Sequence, residues 1–232
     1  MLTVTAPEEE PSDLQRHFAA TYFTMRLGLG IVAVGFPLLL VIGGRLSAGL
    51  PLQDSMSAYY HAGSGVMRTW FVGILFTLGT LLYLYKGFST RENVALNLAG
   101  IGAVLVAVFP MEWSCGAACS KFTVHGASAV IAFLCIAYVA AFCADDTLKL
   151  VRDPKRLALL RNGYRVLAAL MLLSPIAAFV VTSLLNLRNS LVFFLEAFGI
   201  LAFALYWFLK GRELRETHAD YIAQDGTLVA RA

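Results

Sequence analysis

Residues 28–44 read GLGIVAVGFPLLLVIGG, and no charged side chain interrupts them. The apolar run around them, Tyr22–Gly44, exceeds the length of about 20 residues with which a helix crosses a bilayer. Five more such runs follow, at Trp70–Lys86, Val94–Met111, Val124–Cys143, Val166–Leu185 and Ser190–Lys210. The short alternating strands of a membrane β-barrel are not seen. The sequence therefore predicts an all-α polytopic membrane protein, a bundle of six transmembrane helices.

The composition agrees with a protein whose main solvent is lipid. Hydrophobic residues make up 59% of the chain and charged residues only 14%, whereas soluble domains have roughly 45–50% and about 25%. Membrane lipids are the expected partners, and a membrane-protein partner or a second copy of the chain stays open. The basic residues form no continuous stripe, so nucleic acid is not an expected partner. The acidic run Glu8–Glu10 argues against a signal peptide, whose leader is basic.

Lysine and arginine fix the expected orientation. Of the 18 basic residues, 14 fall on the side of the termini and four on the other, at Arg45, Arg68, Lys121 and Arg188. The positive-inside rule then predicts a bacterial inner-membrane protein with both termini in the cytoplasm.

This orientation divides the chain into segments. The N-terminal segment is 1–21, the membrane domain 22–210 and the cytoplasmic tail 211–232; the tail is expected to fray beyond Arg215. Asp153-Pro154 is expected to break structure, which allows Lys155–Tyr164 to lie as a short basic helix on the membrane surface. Its charges are interpreted as a solvated run that fixes the topology, in preference to a lipid-recognition site. The outer segments are Arg45–Thr69, Glu112–Thr123 and Asn186–Asn189.

Two of the four cysteines fall in an outer segment. Cys115 and Cys119 lie where the compartment is oxidising, so a disulfide is the leading interpretation. A metal site of this pair with His125, and two free thiols, remain as alternatives; the spacing does not match a strong zinc motif. Cys135 and Cys143, in the fourth span, are interpreted as small apolar fillers.

Glu196 is the most unusual residue of the spans. It lies about six residues, or roughly 9 Å, inside the outer end of the sixth helix, where an ionisable group is costly and needs a partner. Other polar residues share this face, so they could converge on Glu196 in one outward-opening pocket. They are His61, His125, Ser57, Tyr59, Tyr60, Arg68, Asp54 and Trp113. A structural carboxylate, bonded to neighbouring helices, is the alternative for Glu196.

The run Ser55-Met-Ser-Ala-Tyr-Tyr-His61 resembles a segment of uncharacterised bacterial six-helix membrane proteins of the domain-of-unknown-function type. The resemblance extends to Phe71-Val72-Gly73, His125, Glu196 and the ending Trp207…Lys210-Gly211. Thr69 departs from the acid expected after Arg68. The family is distantly similar to eukaryotic six-helix proteins linked to lipid remodelling and autophagy, and it implies no established activity.

Two functions compete. In the first, the outer pocket binds a lipid or small hydrophobic ligand, or scaffolds a membrane complex, with the tyrosines and Trp113 as aromatic walls. In the second, the chain is a hydrolase of a lipid or lipid-linked substrate, in which His61 or His125 is the base, Glu196 orients it and Ser57 is the nucleophile. No cofactor is required; zinc is a weak candidate, at His61, His125 and Glu196. Haem or quinone binding is less favoured.

A pump or channel is also not favoured, because the charges are not expected to continue into the cytoplasmic half of the bundle.

Overall fold

The computed structural model describes residues 11–63, 65–115, 120, 122–181 and 190–224. Six helices in it are long and apolar enough to cross a membrane: α1 (Asp13–Ala48), α2 (Val66–Leu84), α3 (Thr90–Val108), α4 (Val124–Leu148), α5 (Pro154–Phe179) and α6 (Ser190–Thr217). A short helix α7 (Ala219–Gln224) follows, and a 3₁₀ turn at Ser57–Tyr60 lies between α1 and α2. The predicted six-helix all-α fold is confirmed.

The helices form a closed ring in chain order. Each packs against the next, from α1 to α6, and α6 returns to pack against α1. With six crossings, the described ends of the chain lie at one end of the bundle, called here the terminal end. The opposite end, where α1 joins α2 and α3 joins α4, is called the loop end.

Several helices start earlier than their apolar runs. Helix α1 begins at Asp13 because Ser12 and Gln15 form a capping box there, and α3 begins after Ser89, whose side chain accepts from the Glu92 amide. A hydropathy profile detects only the apolar part of a helix, so it does not include these polar first turns in the predicted spans.

The basic surface helix predicted at Lys155–Tyr164 is wrong. These residues form the first turns of α5, because Asp153 caps the helix and Pro154 stands at its first position, where a missing N–H costs nothing. The tail is also more ordered than expected: α7 packs against the bundle, and Ala219 is fully buried.

Glycines set the closest helix contacts. A Cβ on Gly100 of α3 would lie 2.5 Å from the backbone oxygen of Gly79 on α2, and one on Gly79 would lie 2.7 Å from the Gly100 oxygen. At the loop end, Gly43 and Gly44 of α1 leave room for the rings of Trp70 and Tyr59. Close backbone approach therefore joins α2 to α3 and seats the α1–α2 connection on the bundle.

Candidate functional site

The connection between α1 and α2 is fastened to α6, the last helix of the ring. The Phe193 amide, in the first turn of α6, donates to the Asp54 carbonyl at 3.0 Å. Glu196, one turn further, accepts the Met56 amide at 2.6 Å and also the Ser57 amide. The carboxylate thereby satisfies the free N–H groups that begin the 3₁₀ turn, as a capping side chain does.

Ser57 and His125 form a hydrogen-bonded pair. Ser57 Oγ lies 2.9 Å from His125 Nε2. The other ring nitrogen, Nδ1, lies 2.9 Å from the Phe109 carbonyl and 3.1 Å from the Val106 carbonyl, at the end of α3. A carbonyl only accepts, so Nδ1 carries the proton, Nε2 is the acceptor and the Ser57 hydroxyl donates to it. Both side chains are half-buried.

His61 occupies the neighbouring position on the same connection. Its Nε2 donates to the Met111 carbonyl at 2.8 Å, and the Trp113 ring stacks on the imidazole with centroids 5.2 Å apart. The exposed Arg68 guanidinium lies 4.8 Å from the centroid of the Tyr60 ring, which packs in a T-shaped arrangement with the His61 ring. An aromatic and cationic surface thus adjoins the Ser57–His125 pair.

The structure brings Glu196, Ser57, His125 and His61 together, with Tyr60, Arg68 and Trp113 beside them. Tyr59 differs: it is 1% exposed and packs against Phe193, so it belongs to the core and not to an accessible wall. Burial also raises the pKa of its hydroxyl. Asp54 holds α6 through its backbone carbonyl, and its exposed side chain is not part of the cluster.

A metal fits this cluster poorly. Both ring nitrogens of His125 already have protein partners, and one oxygen of Glu196 holds a backbone amide. Within the part of the chain that the structure describes, no three His, Cys, Asp or Glu residues are grouped to hold an ion. Cys119 lies outside the described residues, so its disulfide with Cys115 stays a prediction, and so does the metal site of both with His125.

A second polar cluster, which the sequence analysis missed, is buried at the terminal end. Lys210 Nζ lies 3.0 Å from Glu213 Oε2, and their side chains are 2% and 0% exposed. Glu213 also accepts from the hydroxyls of Tyr164, at 2.6 Å, and Thr147, at 2.5 Å. The carboxylate therefore has three donors from three helices.

Arg26 extends the charged groups at this end. Its guanidinium is 1% exposed and holds both carboxylate oxygens of Asp220 on α7, while its Nε donates to the buried Tyr85 hydroxyl at 2.9 Å. Burial raises the pKa of Tyr85. The prediction that charges do not reach this half of the bundle is wrong, since Arg26, Glu92, Lys210 and Glu213 are all at most 3% exposed.

The terminal cluster escaped the sequence analysis for a physical reason. A Lys or Arg near the end of an apolar run has the same local sequence whether it extends to the interface or pairs inside the bundle. Lys210 and Glu213 lie one helical turn apart, at the end of the apolar run and just beyond it, and this spacing is the available signal.

No protein-family model, curated protein or solved structure matches this chain. The resemblance of the Ser55–His61 run to the bacterial six-helix proteins therefore stays a prediction, and function has to be argued from the two clusters themselves.

Proposed function

We propose that this protein hydrolyses an acyl ester of a membrane lipid, or of a lipid-linked group, at the loop end of the bundle. The observation that carries the proposal is the 2.9 Å contact between Ser57 Oγ and His125 Nε2, with Nδ1 of the same ring held by carbonyls. A hydroxyl nucleophile, an acceptor nitrogen and a group that fixes the ring are the three parts that acyl transfer through serine needs.

The chemistry follows from the tautomer. Ser57 Oγ attacks the acyl carbon while its proton moves to His125 Nε2, and that proton then passes to the departing alcohol as the ester C–O bond breaks. Water hydrolyses the acyl-serine by the reverse proton path. The carbonyls of Phe109 and Val106 stabilise the imidazolium that forms, because the C-terminal end of a helix carries partial negative charge.

Glu196 has a positioning role in this scheme. It accepts hydrogen bonds from the amides of Met56 and Ser57, so it fixes the backbone that carries the nucleophile. These described hydrogen bonds of Glu196 do not include the imidazole. This differs from the role that the sequence suggested, in which Glu196 orients the base.

The lipid class of the substrate is supported by the position of the pair. The pair lies at one end of a bundle of six helices with spanning length, and the exposed Trp113 and Arg68 beside it suit a lipid–water interface. We place this face on the outer side of a bacterial inner membrane, because 14 of the 18 basic residues lie towards the other side.

A fluorophosphonate probe tests the proposal, since it reacts with serine hydroxyls that a base activates. The full chain in detergent should be labelled at Ser57, as mapped by peptide mass spectrometry. Ser57→Ala and His125→Gln should abolish labelling, and Ser120→Ala, at an exposed serine of the same end, should leave it unchanged. Absence of label on the folded wild-type protein would reject the hydrolase.

Binding without turnover is a second candidate, favoured by Arg68. The only hydrogen bond described for its exposed guanidinium is a long one, 3.5 Å from Nε to the Tyr60 carbonyl, so its terminal nitrogens can reach a lipid phosphate. In this case the wild-type protein should retain phosphatidylglycerol without reacting with the probe. Arg68→Gln should weaken retention, and Arg45→Gln, an exposed arginine at the same end, should not.

A further inference from the structure

A groove runs between α3 and α4 at the terminal end, on the opposite face of the membrane from the Ser57–His125 pair. It has a volume of about 620 Å³, and its walls are mainly apolar, with Val94, Leu98, Leu134 and Tyr138 among them. Arg91 stands at its mouth. The distance along α3 from Arg91 to Leu98 is about 10 Å at the rise of a helix, so the groove extends from the interface into the apolar layer.

A polar cavity of about 570 Å³ adjoins the groove and shares Arg91 with it. Lys149, Arg165, Asp145 and Asp146 are its other charged lining residues. The two acids are already paired, Asp146 with Arg91 at 2.7 Å and Asp145 with Arg161 at 3.0 Å. Lys149 and Arg165 are exposed and have no acidic partner among the described residues. The cavity therefore has cationic groups available for an anion.

The same cavity also has an acceptor without a donor. Only Oδ1 of Asp146 is used by Arg91, and Oδ2 is buried without a hydrogen-bond partner in the part of the chain described. A buried carboxylate oxygen left in this state is costly, and a charged N–H donor relieves that cost best. Two unpaired cations beside one unpaired anionic oxygen match a headgroup that carries both a phosphate and an ammonium.

We propose that this groove and cavity bind a phospholipid whose headgroup ends in a primary amine. Lys149 and Arg165 hold the phosphate, and one acyl chain lies in the groove between α3 and α4. The ammonium packs against the partly exposed Asp146 side chain, which turns its buried Oδ2 towards the cavity to accept the hydrogen bond. The apolar walls of the groove suit an acyl chain, and the groove shares Arg91 with the cavity that would hold the headgroup. This site is independent of the proposed hydrolase at the loop end.

Native mass spectrometry of the full delipidated chain in detergent tests the proposal. Phosphatidylethanolamine should bind about ten-fold more tightly than phosphatidylcholine, whose methylated amine has no N–H to donate, and more tightly than phosphatidylglycerol, which has no amine. Glycerophosphoethanolamine, which lacks the acyl chains, should not bind at the same concentrations. Equal binding of phosphatidylethanolamine and phosphatidylcholine, or tighter binding of phosphatidylglycerol, would overturn the proposal.

Variants of the lining residues test separately the binding of the ammonium and the binding of the phosphate. Asp146→Asn should bring phosphatidylethanolamine down to the affinity of phosphatidylcholine. The double variant Lys149→Gln/Arg165→Gln should weaken both lipids by about ten-fold, as expected when charge-assisted bonds are lost. Lys155→Gln, at an exposed lysine of the same end outside the cavity, should change neither. Phosphatidylethanolamine binding that survives the double variant unchanged would place the lipid elsewhere.

Discussion

Glu196 and His125 each satisfy backbone groups at the end of a helical segment. Glu196 accepts the free amides that begin the 3₁₀ turn, and His125 donates to carbonyls at the end of α3. These are roles that any stable loop end requires. The same contacts give Ser57 its fixed position and His125 its tautomer, so the structural and the proposed catalytic roles rest on the same bonds.

Replacing Glu196 tests the fastening of the α1–α2 connection. Glu196→Gln leaves one oxygen for two amide donors and brings an NH₂ group towards one of them. We expect a loss of about 1–3 kcal/mol in the free energy of unfolding. The measurement is chemical denaturation in detergent, together with protease cleavage between α1 and α2.

Glu216 provides the matched control. It lies on the same helix, is 46% exposed and pairs with Arg156 at the surface. Glu216→Gln should cost less than about 1 kcal/mol. Equal effects of the two substitutions would mean that Glu196 does not hold the connection.

The Lys210–Glu213 pair should respond asymmetrically to its two substitutions. Glu213→Leu leaves the buried ammonium without its carboxylate, with the Thr147 hydroxyl and the face of the Tyr164 ring as its remaining contacts among the described residues. The usual cost of an uncompensated buried charge is about 3–5 kcal/mol. Lys210→Met should cost less, because Glu213 keeps the hydroxyls of Tyr164 and Thr147. Denaturation in detergent measures both, and Arg212→Met, whose side chain is 74% exposed, is the control. A larger loss for Lys210→Met would contradict this account.

Among the elements, the crossing of α2 and α3 depends most directly on small residues. Gly79 and Gly100 bring the two backbones so close that either Cβ would meet a carbonyl oxygen, which no side-chain rotation relieves. The crossing geometry identifies Gly79 and Gly100 as partners, although they lie 21 residues apart in the sequence.

Gly100→Ala should therefore force α2 and α3 apart and lower the thermal stability of the protein in detergent. The loss should exceed the roughly 1 kcal/mol that alanine ordinarily contributes over glycine in a helix interior. Gly28→Ala is the matched control, since a Cβ at Gly28 of α1 meets nothing within 4 Å. It should be neutral or stabilising. Similar behaviour of both variants would refute the close crossing.

Helix number and order followed from hydropathy, whereas helix ends did not. A hydropathy window identifies the apolar parts of α1 and α5. The polar first turns that follow the N-cap residues Ser12 and Asp153 are recognised only from the capping residues themselves. The loop-end cluster was predictable in part, because Glu196 in a span demands partners. The identity of these partners depends on how the connection folds. They are backbone amides, which every residue except proline has and which no sequence pattern marks.

For the molecule as a whole, the side on which its two clusters lie is still a prediction. The charge distribution predicts a cytoplasmic terminal end. Green fluorescent protein fused after Ala232 should fluoresce, and alkaline phosphatase fused there should be inactive, since the enzyme folds only in the periplasm. Phosphatase inserted after Gly49, in the connection between α1 and α2, should be active. The reverse pattern would place the Ser57–His125 pair in the cytoplasm.

The attachment of the α1–α2 connection to α6 has a consequence for biosynthesis. Met56 is made early, but its partner Glu196 is 140 residues away and enters the membrane with the last spanning helix. The partner of Arg26, Asp220, is made later still, because the two residues are 194 positions apart. A nascent chain therefore carries Ser57 without its support throughout insertion of the first five helices. The proposed nucleophile is held in place only after α6 has been made, so a chain that stalls before α6 carries no assembled Ser57–Glu196 contact.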